Sequence, residues 1–185
     1  MRRSWFPKAY ADLVARLRVP SGFLLVAAFL WLSKPGAASL AAGLPLAALG
    51  MWLRGWAAGH LAKNERLASS GPYAYLRNPL YAGTLLVAAG LAVASRRLSL
   101  AVLLAGVFLL VYLPVVELEE QHLRKLFPAY AEYAARVPML WPRWRRGGGG
   151  TGRFEWRLYW RNQEYQALAG FLAGALYLGL KTTLH

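Results

Sequence analysis

The stretch GPYAYLRNPLYAG, Gly71 to Gly83, holds the residues of this 185-residue chain best suited to bind a ligand. Gly71 and Pro72 favour a tight turn at which backbone comes close to a partner. Asn78 precedes Pro79 and is thereby biased away from helix, which suits an N-cap, while Pro79 fits the first position of the helix that follows. A helix N-terminus carries free N–H groups and a partial positive charge, and the Arg77 guanidinium stands beside it, so the chemistry on offer is retention of a carboxylate or phosphate. The same residues also suit a plain interfacial role: Arg77 on lipid phosphate, Asn78 as a cap, and Tyr73, Tyr75 and Tyr81 as an aromatic belt. Downstream, Glu119 and Glu120 form an adjacent acidic pair, and Glu120 stands i to i+4 from Arg124, the spacing of a surface ion pair. The absence of Cys removes disulfides, Cys-based zinc sites and thiol nucleophiles, and no metal site is expected. Gly147, Gly149 and Gly152 formally satisfy GxGxxG. No β-branched strand precedes them and the flanks are WPRWRR and RFEWRLYW, so the run reads as a flexible linker rather than a phosphate turn.

The elements that must position these residues are membrane helices. Apolar residues make up 57% of the chain, above the usual 45 to 50% of soluble domains. Charges leave long free windows at Val19 to Ser33, Pro35 to Leu53, Asn78 to Ser95, Leu98 to Val116 and Tyr165 to Leu180. The middle three approach the roughly 20 helical residues that cross a bilayer core, and the outer two are marginal. The first lacks a clear signal-cleavage site and is read as retained. Five spans with a cytoplasmic N-terminus place all 8 carboxylates inside, with all of the 22 Lys and Arg except Lys34, Arg96, Arg97 and Lys181. That is the positive-inside pattern of a polytopic membrane protein, and it assigns the basic excess to lipid headgroups instead of nucleic acid. The expected fold is all-α, with about five transmembrane helices in short hairpins. Lys34, Pro35 and Gly36 join windows one and two, and Ser95, Arg96 and Arg97 join three and four. Small residues in the second window (Ala37, Ala41, Gly43, Ala47 and Gly50) would let backbones approach closely. Glu117 to Leu126 continues the fourth span and Phe127 to Arg136 forms a short amphipathic helix on the cytoplasmic side. Residues 1–142 form the expected core, 143–163 a Gly-rich and aromatic interfacial segment that includes Trp144, and 164–185 a C-terminal membrane helix.

Residue order adds a more specific reading. The stretch resembles the GPYxxxRHPxYxG signature of the isoprenylcysteine carboxyl methyltransferase and phospholipid N-methyltransferase superfamily: Gly71, Pro72, Tyr73, Arg77, Pro79, Tyr81 and Gly83 match in place, and Asn78 stands where His is usual. A second match follows in Glu119, Glu120, Phe127, Tyr130, Tyr133 and Pro138, similar to the family's paired Glu, FxxYxxY-like pattern and Pro. Gly59 and His60 look like the weaker Gly-containing element upstream. The resemblance covers about Trp52 to Pro142.

What the resemblance implies is a small helical membrane enzyme that binds S-adenosylmethionine at the cytosolic face and methylates a lipid-associated acceptor. In that reading Arg77 with the helix end at Asn78 and Pro79 holds the donor's carboxylate, and Glu119 and Glu120 balance its cations. Gly59, Gly71 and Pro72 shape the cofactor site, and Tyr73, Tyr81, Tyr130 and Tyr133 offer faces to the adenine or the sulfonium. Arg77, Glu120 and His60 are the residues expected to serve the reaction. Methyl transfer is a direct displacement, so the protein supplies alignment and water exclusion; an acceptor carboxylate needs only a cation to aim it, an amine also a base such as His60 or a Glu. Asn78 in place of His puts proton exchange there in doubt and leaves a hydrogen-bonding role intact. The expected partners are a lipophilic or lipidated acceptor and membrane lipids. A reductase of sterol-reductase type, which carries a similar signature and uses NADPH, and a non-enzymatic lipid-binding scaffold are the competing readings.

Overall fold

In the computed structural model, residues 6–142, 147 and 149–183 are described, and among them every regular element is helical. Trp144 and Gly148 lie outside the described residues. The elements are α1 (Lys8–Leu32), α2 (Ala37–Ala58), a short 3-10 turn (Gly71–Ala74), α3 (Pro79–Ser95), α4 (Leu98–Val107), α5 (Leu113–Leu126), α6 (Tyr130–Arg136), α7 (Trp156–Arg161) and α8 (Glu164–Thr183). A π turn, Phe108–Tyr112, fuses α4 and α5 into one rod, Leu98–Leu126.

By length and composition two helices can cross a membrane, Ala37–Ala58 and Leu98–Leu126. Val19–Leu32 and Pro79–Ser95 are apolar but shorter, so the structure supports a helical membrane protein without establishing the five spans expected. Large exposed apolar side chains such as Phe23, Leu24, Trp31, Leu98 and Val102 are what a lipid-facing surface presents.

The expected first hairpin takes a different form. α1 packs on α4, the π turn and α5, whereas α2 makes its main interface with α3 and a second one with α8. The small residues of α2 do bring backbones together, with α3 as the partner. A Cβ placed on Gly50 would lie 2.6 Å from the Gly83 carbonyl oxygen, and Gly43 and Gly90 face each other in the same way one stretch further along. Helices in lipid gain little from hydrophobic association, so close backbone packing of this kind is what holds them.

The π turn has an identifiable cause. Pro114 has no N–H to give to the carbonyl of Leu110, and its ring crowds that turn, so the ladder widens there. The orphaned Leu110 oxygen instead accepts the Tyr10 hydroxyl of α1 at 2.6 Å. In an apolar surrounding such a partner is needed, because an unmet carbonyl is costly.

The basic residues expected on the outer side do gather at one end. Arg97 Nε donates to Leu32 O at 3.1 Å, and Lys181 Nζ donates to Leu30 O at 2.8 Å. α8 starts beside Arg54 at the signature end and carries Lys181 in its last turn, so it runs the length of the bundle.

The glycine run is not a free linker where it is described. Gly147 N donates to Ala74 O at 2.9 Å, and a Cβ on Gly150 or Gly152 would press on Ser69 or Ser70 Oγ at 2.6 and 2.7 Å. Glycine is required here by close approach to the signature loop, which composition alone does not reveal.

Candidate active site

The signature end of the bundle encloses a cavity of about 450 Å³. α3 contributes Leu80, Tyr81 and Thr84; the π turn and α5 contribute Tyr112, Glu119, His122 and Leu123. The loop before α3 adds Lys63, Arg66, Leu67, Tyr73 and Arg77, and α6 adds Tyr130 and Tyr133. Arg54, Asn162 and Glu164 close the remaining side. The volume lies within the 300 to 1,000 Å³ range of small-molecule sites.

Arg77 and Glu120 face each other across the junction of two helices. Arg77 Nε lies 2.9 Å from Glu120 Oε1, with the two side chains only 6% and 12% exposed. Arg77 Nη1 donates to Ala134 O at 2.9 Å. Asn78 Nδ2 donates to the same Glu120 oxygen at 3.1 Å and to Met139 O at 3.3 Å. Asn78 therefore starts α3 without a side-chain cap bond, its amide being turned to Glu120 instead. The Arg77 and Asn78 N–H groups bond Pro138 O and Met139 O at 2.8 and 3.1 Å. The expected open anion cradle is thus partly filled by the protein itself, and Arg77 is neutralised by Glu120 before any ligand arrives.

The acidic pair divides. Neighbouring residues on an α-helix point about 100° apart, so one of two adjacent glutamates faces the cavity and the other does not. Glu119 is the lining residue and accepts the Tyr81 hydroxyl at 2.9 Å. Glu120 is buried behind it. The i to i+4 pairing of Glu120 with Arg124 does not form: Arg124 lies over the Tyr130 ring, 5.3 Å from its centroid.

The aromatic wall is ordered by burial. Tyr133 donates to Tyr73 O at 2.7 Å and packs edge-on against Tyr130, with Val137 completing the cluster. Tyr112 meets Tyr81 edge to face at 6.2 Å. The Tyr130 hydroxyl is buried beside the Glu120 carboxylate, which helps to hold the phenol neutral. Burial pushes the pKa of Tyr73, Tyr130 and Tyr133 well above the ordinary phenol value, so all three remain neutral at physiological pH.

His60 does not join this set. It is buried against Phe154, its Nδ1 lies 3.0 Å from Trp56 O, and a Cβ on Gly71 would strike its ring at 2.6 Å. Gly71 has φ of 56°, a left-handed conformation suited to glycine. A Cβ on Gly59 would meet the Phe154 ring, and Gly59 O accepts Glu155 N at 2.8 Å. The upstream element thus seats the C-terminal segment, while Gly71, Pro72 and Pro79 shape backbone outside the lining.

Sequence reasoning missed Arg54 and Glu164. Arg54 Nε and Nη2 meet the Glu164 carboxylate at 2.6 and 3.0 Å, and Nη1 reaches Thr84 Oγ1 at 2.5 Å. The available signal was a lone ionisable residue at the end of one apolar window and another at the start of the last, since such residues are rarely incidental.

Comparison with known proteins accords with this geometry. Residues 38–130 match the phospholipid methyltransferase family. The cobalt-zinc-cadmium resistance protein CzcN of Cupriavidus metallidurans is 39% identical over 102 residues, covering 55% of this chain and 46% of that protein. The nickel-cobalt-cadmium resistance protein NccN of Alcaligenes xylosoxydans xylosoxydans is 33% identical over 102 residues, covering 55% and 47%. The chain spans about half the length of these curated relatives. No solved structure matches. With half of its length aligned to that one family and the matching motifs gathered around one cavity, the chain belongs to the phospholipid methyltransferase family.

Proposed function

We propose that the protein is an S-adenosylmethionine-dependent methyltransferase of the membrane whose acceptor is a lipid-like or lipidated molecule, with its site on the cytoplasmic side. The observation that carries the reading is the single cavity in which Arg77, Glu119 and five tyrosines converge. The methyl donor carries a carboxylate, an ammonium, a sulfonium and an adenine, and the donor set fits it. Arg77 pairs with Glu120 by charge at 2.9 Å without an aligned Nε–H bond and gives Nη1 to Ala134 O, and Nη2 is the nitrogen assigned here to the ligand carboxylate. Glu119 offers the negative charge for a cationic group. Tyr81, Tyr112 and Tyr130 supply aromatic faces.

The bound sulfonium supplies an activated methyl group. The residues align the reacting centres and exclude water, and α5 and α6 with the tyrosine cluster form the wall that does so. Were the acceptor an amine, Glu119 is the carboxylate assigned to take its proton, since Glu164, which also lines the cavity, is held by Arg54. His60 is outside the lining and is not assigned that role.

Calorimetry with S-adenosylhomocysteine tests the proposal: micromolar binding is expected, with at least roughly tenfold loss in Glu119→Gln if the carboxylate contacts the ligand by a charge-assisted bond. Saturable NADPH binding with none for the methyl donor would replace this reading by a reductase. Binding of neither would leave a lipid-binding scaffold.

A further inference from the structure

α1 lies outside the family-matching stretch, yet it packs along α4, the π turn and α5. Tyr10 of α1 donates its hydroxyl to Leu110 O of that turn at 2.6 Å, and Phe6 stacks on the Tyr10 ring with centroids 6.0 Å apart. Within the turn Leu113 N bonds Phe108 O, five residues back instead of four.

The extra residue decides which side of α5 meets the bundle. Each residue of an α-helix advances by about 100°, so on an uninterrupted helix Leu100 and Val116 would stand about 160° apart, and Leu100 and Glu119 about 100° apart. A single π turn withholds about 100° from everything that follows it. Leu100, Phe108 and Val116 then share one buried face, and Glu119 comes into line with Leu100 on the side of the cavity. Tyr112, the last residue of the turn, lines the cavity as well. Its ring stacks on Phe108 within 4° of parallel at 6.2 Å and meets Tyr81 edge to face, while Tyr81 donates its hydroxyl to Glu119 at 2.9 Å. The turn, two tyrosines and the lining carboxylate are thus one contiguous set.

We infer that Tyr10 is a positioning residue of the site: by holding the Leu110 carbonyl it fixes the π turn, and through the turn it sets Tyr112, Tyr81 and Glu119 on the cavity wall. The purpose assigned to it rests on the methyltransferase reading, because a methyl donor and its acceptor must be aligned to react. Pro114 cannot supply the missing donor, and a bilayer offers no water in its place, so without the hydroxyl the turn must rearrange to satisfy its carbonyl. The cost of rearrangement falls on the site. A helix closed by one residue at this point would carry Leu118 to where Glu119 stands and put an apolar side chain in place of the lining carboxylate. Tyr10 is not itself a lining residue, so its effect passes through the turn.

The test combines two measurements on the full chain in lipid nanodiscs: fluorine NMR with 3-fluorotyrosine at position 112 alone, and calorimetry of the unlabelled protein with S-adenosylhomocysteine. Tyr10→Phe keeps the ring and removes the hydroxyl. It is expected to move the Tyr112 resonance and to weaken binding at least about threefold at unchanged stoichiometry. Loss of folded protein would instead lower the stoichiometry and leave the affinity of the remainder as it was. Pro114→Ala restores an N–H for the Leu110 carbonyl, so adding Tyr10→Phe in that background is expected to change neither readout further. Ser39→Ala, which removes a bond to Ala94 O at the opposite end of the bundle, is the control and should shift neither. A Tyr112 resonance or an affinity that ignores Tyr10→Phe, or an equal loss in both backgrounds, would overturn the inference. A parent protein that does not bind S-adenosylhomocysteine removes the methyltransferase reading, and the Tyr112 resonance then decides by itself whether Tyr10 holds the turn.

Discussion

Replacing one member of the Arg77–Glu120 pair is expected to damage the protein far more than replacing both. At 2.9 Å and an effective dielectric of about 20, the two charges attract by about 6 kcal/mol, a gain that the loss of their hydration largely offsets. Either partner left alone is a nearly buried charge, and such a loss costs about 3 to 5 kcal/mol. Glu120→Leu also removes the acceptor of Asn78 Nδ2, which adds about 1 kcal/mol. Arg77→Met with Glu120→Leu removes both charges and is expected to recover most of the loss, giving a coupling of about 5 kcal/mol or more in a double-mutant cycle. Guanidinium unfolding in detergent, followed by near-ultraviolet circular dichroism, measures the cycle. Coupling below about 0.5 kcal/mol would refute the pairing as an energetic unit. The double variant also separates scaffold from site: a well-folded protein that no longer binds S-adenosylhomocysteine places Arg77 in the donor site. One that binds as well as the parent would confine Arg77 to holding α3 against α5.

Gly90→Val forces a branched side chain against Ala47 of α2 and should cost about 3 kcal/mol or more, read as loss of folded protein by size-exclusion chromatography in detergent; an unchanged elution profile would contradict the close α2–α3 seam. Tyr10→Phe leaves the Leu110 carbonyl unmet and should cost about 1 to 2 kcal/mol in the same unfolding assay, whereas no change would show that another group satisfies it. Alkaline pH should destabilise the fold through Tyr73, Tyr130 and Tyr133. Burial raises their folded-state pKa above the unfolded value of about 10, so their contribution is complete below pH 10 and is lost as pH rises beyond it. Above that pH unfolding releases up to three protons, a slope of about 4 kcal/mol per pH unit, and the triple Phe variant should flatten it.

Much of the site was legible because its residues sit at chain-local positions that physics constrains. An Arg followed by Asn-Pro marks a helix start, and a lone Gly with Pro marks the turn before it; both occur where expected at Gly71–Ala74 and Pro79. The small residues of α2 were equally legible as close-contact positions, but their partner was not. Short connections suggested α1, and the actual partner is α3, since Gly83 and Gly90 present the complementary hollows. Pairing between helices is a property of two surfaces, and a single chain read locally gives one surface at a time. The same limit explains Arg54 and Glu164. Each looks like an interfacial charge at the end of an apolar run, and only the docking of α8 along α2 turns them into a bidentate pair on the cavity wall.

Glu119 and Glu120 stand on different sides of the cavity wall. Motif matching treats the two acids as one feature, yet helical geometry obliges them to do different work. Glu120 neutralises Arg77 and holds Asn78, so the interior of the site is charge-balanced and rigid without a ligand. Glu119 lines the cavity and accepts the Tyr81 hydroxyl there. A buried balanced pair behind an outward-facing carboxylate lets the site meet a cation without reorganising its own charges, and preorganisation of this kind lowers the ordering cost of binding. Asn78 fits that scheme better than a titratable ring would. A neutral amide beside Arg77 donates to Glu120 at every pH, whereas an imidazolium there would add a second positive charge to a pair already in balance.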